Sequence, residues 1–579
     1  MARIENLKTA WILEDIARLL EIKGENVYKS RAYHRAGRAI VNLTEDITLL
    51  MKQGKLDDIP GVGENIAKKL KELLTTGSLA YYEQLKEEIP TGVVDITNIP
   101  GVGAKMAQLL YQKLGISTLE ELEAAARAKK IRTLPGLGSK TELNILRGID
   151  MLRSKGGRVI LSIADSLAES FLVFLRSLPG VQNAAVAGST RRMKESIGDI
   201  DLVAAAAEPP SVTGIFVQHP QVSSLLSHGD TKASIVTVTG IQVDLMVVHP
   251  DEFWSALHHF TGSKEHNVRL REMAREKGLK INEYGIFRGE GEERLKTAGE
   301  ADIYRYLELP YIPPEIREDS GEIEAAKNHS LPELLSLPDI RGDLHLHSDW
   351  SDGVNTIEQI VGRAVEKGYE YIAITDHSKS LAVAKGLSVE RLQRQDEIID
   401  RINRENTGCT VFRGIESDIL ANGDLDYPDE ILAAKDLVIA SVHSGFRQEA
   451  EKITSRIISA IKHEHVDILA HPTGRLIGRR DGYAVDMDRV LEAAAKYKTV
   501  LEINSSPDRL DINDHYARKA KEYGIKIAIN TDAHEIRRMD EMKYGVGTAR
   551  RGWLEPEDVI NTLPVGELKK FLTRHKEKR

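Results

Sequence analysis

The chain has 579 residues, of which 41% are hydrophobic and 29% charged, and a formal net charge of −9. This is the composition of an ordinary soluble protein of about three to five domains. No apolar stretch reaches the ~18 residues that a membrane span requires, and the charged start MARIENLKTAW lacks the apolar core of a secretory signal. A single cysteine, Cys409, excludes disulfides within the chain and argues against thiolate zinc sites, so the reading is an intracellular, cytoplasmic protein.

The overall charge hides an asymmetry. Residues 1–155 carry 24 Lys and Arg against 20 Asp and Glu, a balance of +4, while the remainder is acidic. A mildly basic quarter is a modest footprint for nucleic acid. A short repeat says more: Ile59-Pro-Gly61-Val-Gly63, Ile99-Pro-Gly101-Val-Gly103 and Leu134-Pro-Gly136-Leu-Gly138 each precede a helical pattern. Such glycines permit the positive φ of a tight hairpin and let backbone N–H groups approach an anion at a helix N-terminus. This is the helix-hairpin-helix pattern. One copy is commonly plain packing; three predict binding to DNA phosphates without sequence readout, through Gly61, Gly63, Gly101, Gly103, Gly136 and Gly138.

The next block, residues 156–318, contains Gly188-Ser189-Thr190-Arg191-Arg192, then Gly198-Asp199-Ile200-Asp201, then Asp244 within the apolar run QVDLMVV. Side chains two apart on a strand face one side, so Asp199 and Asp201 project together, and the Asp244 run suits the neighbouring strand. Three converging carboxylates repel one another, and a pair of divalent cations, Mg2+ or Mn2+, relieves that repulsion. Asp199, Asp201 and Asp244 therefore read as the catalytic ligands of a two-metal phosphoryl transfer, with Ser189 and Arg192 holding a triphosphate.

With His259-Phe260-Thr261-Gly262-Ser263, Asn267 and Arg271 added, the order of motifs resembles the family X DNA polymerases, nearest the two-part bacterial and archaeal type, over nearly the whole chain. The resemblance implies dNTPs and gapped or primer-template DNA as partners, and a nucleotide site made of Gly188, Ser189, Arg192, His259, Phe260, Gly262, Asn267 and Arg271. His259 departs from the pattern, since polymerase-beta-like members carry Tyr there to help exclude ribonucleotides. Lys69, in Ile66-Ala-Lys-Lys-Leu70, stands where beta-like members carry the lysine that forms a Schiff base with a 5′-deoxyribose phosphate. Such an amine needs desolvation or cationic neighbours, which Lys68 and Lys71 would supply.

Prolines and acids between Ile312 and Asp339 mark residues 319–340 as a linker, with an apolar helical pattern, EIEAAKNHSLPELLSL, that could dock on a neighbour. In the last 240 or so residues, seven apolar runs end in His or acid: LHLHS, IAITDHS, FRGIES, VIASVHS, DILAHP, VLEINSS and IAINTDAH. Strands of a closed parallel barrel read this way, with their chemistry at the strand ends. The opening His345-Leu-His347-Ser-Asp-Trp-Ser-Asp352-Gly resembles the first motif of the PHP phosphoesterases. That resemblance implies nine metal ligands, His345, His347, Asp352, His377, Glu416, His443, His471, Asp532 and His534, holding up to three ions. Mixed imidazole and carboxylate ligands suit Mn2+, Zn2+ or Fe. Asp376 and Glu502 read as either further ligands or outer residues that orient them, and Arg475, in HPTGRLIGRR, as either a guide for DNA or part of a solvated loop.

The expected fold is a multidomain α/β protein: a helical helix-hairpin-helix region, a polymerase-beta-like nucleotidyltransferase palm with a mixed sheet, and a distorted (β/α)7 PHP barrel. The expected boundaries are a lyase-like domain at 1–88, fingers-like helices at 89–155, a palm at 156–258, a thumb-like region at 259–318, a linker at 319–340 and the barrel at 341–579. The expected function is a monomeric DNA polymerase that fills short repair gaps, with a metal-dependent 3′→5′ exonuclease in the barrel and 3′-phosphatase or abasic-site cleavage as side activities. Three alternatives are an RNA- or small-molecule nucleotidyltransferase, an inactive barrel serving as a DNA-binding or structural module, and a barrel acting on a small phosphate ester.

Overall fold

The computed structural model describes residues 2–577 apart from 42, 44–45, 91–92, 94–95, 97–101, 135–136, 139–140, 143–144, 147–157, 220, 238–239, 290–292 and 406–407. The chain divides into two compact units, Met1–Gly157 and Arg158–Arg579.

The described part of the first unit is helical, with Ala2–Lys23 and Val27–Val41 packed as a pair. At the first hairpin, Gly61 has φ +84°, and a Cβ there would stand 3.1 Å from Cβ of Arg35. Only glycine meets both demands at no cost. Gly63 is the N-cap of the Glu64–Thr76 helix, which buries Ile66, Ala67, Leu70 and Leu73 at helical spacing and stops at left-handed Gly77. Gly103 is likewise the N-cap of Ala104–Leu114, and the Gly138 carbonyl accepts from the Glu142 N–H at 3.1 Å. Gly101 and Gly136 lie outside the described residues.

The second unit opens with a short antiparallel pair, β1 (Val159–Ile160) with β3 (Ser196–Ile197). Its first large sheet takes β2 (Val181–Val186), β4 (Asp199–Ala206), β5 (Val222–His228), β6 (Lys232–Thr237) and β7 (Gln242–Val248) in the order β2-β4-β7-β6-β5. β4 and β7 run parallel and the other pairs antiparallel. β4 is sandwiched. Ile200, Leu202, Ala204 and Ala206 share a core with the Leu161–Ser177 helix, while Val203 and Ala205 pack with the Phe253–Thr261 helix. The two-residue alternation therefore puts Asp199 and Asp201 on the Phe253–Thr261 side. A meander of β8 (Leu279–Asn282), β9 (Gly285–Arg288) and β10 (Glu293–Leu295) follows.

The last sheet has seven strands in sequence order: β11 (Gly342–Leu346), β12 (Tyr371–Ile374), β13 (Thr410–Asp418), β14 (Leu437–Ser441), β15 (Ile468–Leu469), β16 (Val500–Asn504) and β17 (Ile527–Asn530). Each runs parallel to the next. A parallel bridge between Leu346 and Ala533, with the His347 N–H donating to the Ala533 carbonyl at 3.0 Å, joins the last strand's end to the first. Most strand residues are buried on both faces, which is why these runs are uniformly apolar.

Two expectations need correction. Residues 319–340 are docked, as their apolar helical pattern allowed, and not a free tether. The Glu322–Lys327 helix buries Ile323 and Ala326 in the core of the meander region, Leu335 joins the barrel core, and the Leu335 N–H donates to the Leu554 carbonyl at 3.0 Å. The acids that suggest a solvated segment are partnered: the Glu322 carboxylate, fully buried, accepts from His266 Nδ1 and from the N–H groups of Asp319 and Ser320. Arg475 is no member of a solvated loop run either, because its side chain is 17% exposed and its guanidinium grips the Glu195 carboxylate of the palm at 2.7 and 3.2 Å. Barrel and palm share packing besides. Leu510 and Tyr544 belong to the palm core, Ile477 packs against it, and Lys543 and Tyr544 both bond Asp165.

Candidate active sites and metal centres

The parallel pairing of β4 with β7 sets Asp201 opposite Asp244, with Asp199 on the same face two residues earlier. Carboxylate oxygens of the three lie within 4.8 Å of one another. Burial, then Asp199 and Asp244, push the Asp201 carboxyl up to about 7 against the opposing pull of Lys232 and Arg192. Like charges this close cannot all ionise without a cation between them. Gly188 makes the approach feasible: with φ +57°, it would place a Cβ 2.0 Å from Asp201 Oδ2.

Beside these acids lies a cavity of about 360 Å3, and it gathers every nucleotide-site residue expected from the sequence: Gly188, Ser189, Arg192, His259, Phe260, Gly262, Asn267 and Arg271. It also exposes Lys264, which sequence reasoning missed although it follows the Thr-Gly-Ser run directly. Ser263 caps the Lys264–Glu276 helix and so turns Asn267 and Arg271, four residues apart, toward one side. Asn267 Nδ2 donates to the His259 carbonyl at 2.7 Å, while its Oδ1 is buried without a hydrogen bond. The His259 ring is half-buried, and burial lowers its pKa.

Residues next in sequence to the cavity lining are braced by ion pairs. Arg191 donates to both oxygens of Glu300 at 2.6 and 3.1 Å and to Thr261 Oγ1 at 2.6 Å, and fully buried Arg317 takes Glu300 from the other side at 2.5 Å. Burial opposes the charge on Glu300, yet Arg317 and Arg191 hold its carboxyl at about 2. Arg192 donates through Nε to Glu318 at 3.1 Å and through a terminal nitrogen to the Thr261 carbonyl at 2.5 Å.

In the first unit, Lys69 is half-exposed on the Glu64–Thr76 helix, with its ammonium 4.9 Å from the Tyr81 ring centre. One of the two expected cationic neighbours has a partner of its own. Lys68 turns to Glu64 at 2.7 Å, and it is Lys29 that shares the Tyr81 ring, at 5.4 Å. A helix places adjacent residues about 100° apart, so neighbours in sequence are a poor guide to neighbours in space.

At the strand ends of the barrel, eight of the nine expected ligands form three overlapping groups: His345, His347 and Asp532; His347, Asp352, His377 and His534; and His377, Glu416 and His443. Glu416 sits at their centre. Its Oε2 lies 2.8 Å from His377 Nδ1 and 3.5 Å from His345 Nε2, and its Oε1 lies 3.3 Å from His443 Nε2. His471, the ninth, brings Nε2 to 3.1 Å from the same Oε1. Burial disfavours charge throughout, but the charges left are unequal. His347 falls to about 3 under burial and the neighbouring His534 and His377, whereas Glu416 and Asp418 overcome burial to raise His443 to about 10.

The residues fit a metal cluster on their own evidence. His345 Nε2, both ring nitrogens of His347, Glu416 Oε2 and His471 Nδ1 are buried without a hydrogen bond. Buried polar atoms left so are costly, and in a convergent set of imidazole and carboxylate donors cations are their natural partners.

Family comparisons bear on the same regions. Residues 4–79 match a "Helix-hairpin-helix domain" model, 93–150 a "SAM-like Helix-hairpin-helix tandem", 256–318 "DNA polymerase beta thumb" and 343–506 "PHP domain". The chain is 39% identical over 566 residues to DNA polymerase/3′-5′ exonuclease PolX of Bacillus subtilis, covering 97% of this chain and 98% of that protein. The chain belongs to the family X DNA polymerases that carry a PHP domain. Two further relatives match part of the chain. A probable phosphatase of Thermoanaerobacter sp. (strain X514) is 32% identical over 248 residues, 41% of this chain and 96% of its own length. DNA polymerase lambda of Rattus norvegicus is 27% identical over 345 residues, 54% of this chain and 56% of its own.

Around the ligands of this family X chain lies a layer the sequence only partly disclosed. His345 Nδ1 donates to Glu502 at 2.7 Å, which commits Nε2 to the cluster, and Asn530 donates to the same Glu502 oxygen at 3.0 Å. Asn504 donates to Asp532 at 3.0 Å, and Asp418 pairs with His443 Nδ1 at 3.0 Å. Asp418 was missed. Its position two residues after Glu416 on β13 was the available signal, since alternate strand residues share a face. Asp376 does not reach the cluster; it accepts from Ser348, Ser351 and Gln395 and fixes the loop that carries Asp352.

Proposed function

We propose that this protein fills short gaps in DNA during repair and trims primer 3′ ends in the 3′→5′ direction, with polymerisation in the palm and hydrolysis in the barrel. The observation that carries this reading is the presence in one chain of two separate centres that could hold metal ions: the Asp199, Asp201 and Asp244 triad beside a cavity of about 360 Å3, and the His and carboxylate groups at the barrel's strand ends with His471 beside them. Mg2+ or Mn2+ at the palm and Mn2+, Zn2+ or Fe at the barrel would neutralise developing phosphate charge and, in the barrel, activate water.

The chain's own side chains do the rest. Arg192, Ser189 and Gly188 would receive the triphosphate, Phe260 and His259 would border the sugar, Asn267 the base, and Arg271 the template strand. Gly61, Gly63, Gly101, Gly103, Gly136 and Gly138 would present hairpin N–H groups to DNA phosphates. Lys69 would attack a 5′-deoxyribose phosphate, with Lys29 across the Tyr81 ring as its cationic neighbour. The likeness to a probable phosphatase favours 3′-phosphate removal as a side activity of the barrel. The domain division set out from the sequence completes the reading: 1–88, 89–155, 156–258, 259–318 and 341–579, acting as a monomer inside the cell. No helix among the described residues is long and apolar enough to cross a membrane.

The test is a 5′-labelled gapped primer-template incubated with Mn2+, with and without dNTPs. Asp199→Ala/Asp201→Ala is expected to abolish extension and leave shortening intact, and His345→Ala/His347→Ala the reverse. Primer shortening by the histidine variant would overturn the barrel assignment.

A further inference from the structure

The barrel reaches the polymerase site through one arginine. The Met542–Arg551 helix of the barrel lies against the segment that follows Arg192: Gly547 packs on Met193 so closely that a Cβ would stand 2.5 Å from its Cε. At the end of that helix Arg551, only 6% exposed, donates to the Arg192 carbonyl at 2.9 Å, to the Glu315 carbonyl at 3.2 Å and to Glu318 Oε1 at 2.9 Å, and it pairs with Asp514 at 2.7 Å. Glu318 Oε1 is the same oxygen that accepts from Arg192 Nε. Lys194 approaches the other oxygen at 3.4 Å.

Glu318 is thus a carboxylate held beside the cation assigned to the incoming triphosphate. A negative charge there opposes a polyanion in two ways, by repelling it and by competing for Arg192. Arg551 weakens both effects by sharing the oxygen and neutralising it. We infer that Arg551 is a positioning residue of the polymerase, supplied by the barrel, which compensates Glu318 so that Arg192 can take the nucleotide's triphosphate. The inference rests on the assignment of Arg192 to the triphosphate.

The experiment uses the full-length protein with steady-state single-nucleotide incorporation on a gapped substrate and primer shortening measured in parallel. Arg551→Ala is expected to raise the dNTP KM about tenfold, with kcat and the shortening rate within about twofold of the parent. Adding Glu318→Gln is expected to return KM to near the parent value, a rescue that general loosening of the interface would not produce. Glu318→Gln alone, which keeps the interface hydrogen bonds without the charge, is expected to leave KM equal or lower and serves if Arg551→Ala fails to fold. Unchanged KM in Arg551→Ala, failure of the second substitution to rescue, or a raised KM in Glu318→Gln alone would overturn the inference. Arg192→Ala separates the two claims: if it leaves KM unchanged, the triphosphate assignment fails; if it raises KM while Arg551→Ala does not, only the present inference fails.

Discussion

Glu300 shows how far one side chain can fix a neighbourhood. It is nearly buried between Arg191 and Arg317, and its carboxyl is held at about 2. That value lies below the ~4.3 of an unfolded glutamate, so the folded state gains stability above the unfolded value and loses it as pH falls toward 2, by about 3 kcal/mol in all. An acid titration followed by circular dichroism is expected to show Glu300→Gln less stable than the parent at pH 7, by about 3 kcal/mol, with the difference shrinking below pH 4. A gap that widens on acidification would contradict the pairing. Glu502 makes a second case at this scale. It touches no cluster centre yet orients His345, so Glu502→Gln is expected to weaken metal retention 10- to 100-fold, measured by elemental analysis after graded chelation, while gap filling is unchanged.

At the scale of elements, the strand ends were the most legible part of the chain. A parallel strand buried on both faces is almost uniformly apolar, so a terminal His or acid stands out, as His377 does after β12 and Glu416 within β13. The same logic found Asp199, Asp201 and Asp244, because one pairing register makes a spacing of two meaningful. What the sequence did not disclose depends on partners distant along the chain: Asn530 on Glu502, Arg475 on Glu195, Lys29 beside Lys69. No local pattern marks a polar residue whose partner lies 28 positions away, as for Asn530, or 280, as for Arg475. The hairpins are intermediate. Gly61 was legible as a turn, but the near contact with Arg35 that forbids a side chain was not. Gly61→Val is expected to cost about 1–2 kcal/mol for the left-handed backbone, more with the clash, and to weaken binding of a gapped duplex uniformly across sequences. Denaturant unfolding and fluorescence anisotropy check the two effects.

At the scale of the whole molecule, residues 319–340 decide whether the two catalytic halves move as one. Proline and acid content suggested freedom, yet Glu322, Ile323, Ala326 and Leu335 are buried in the folded unit. Limited proteolysis of the native protein is therefore expected to spare 319–340. Arg475→Ala with Arg550→Ala, which removes the contacts to Glu195 and Glu315, is expected to expose new cuts there; cleavage of the parent within that segment would refute the packed arrangement.

Leu510 and Tyr544 lie in the barrel's sequence but in the palm's core, with Ile477 against it. Cutting the chain at residue 340 would not yield two finished proteins. Each piece would carry a raw apolar scar where those side chains now pack. Anyone wishing to use either half alone has to replace those side chains with polar ones before expecting a soluble fragment.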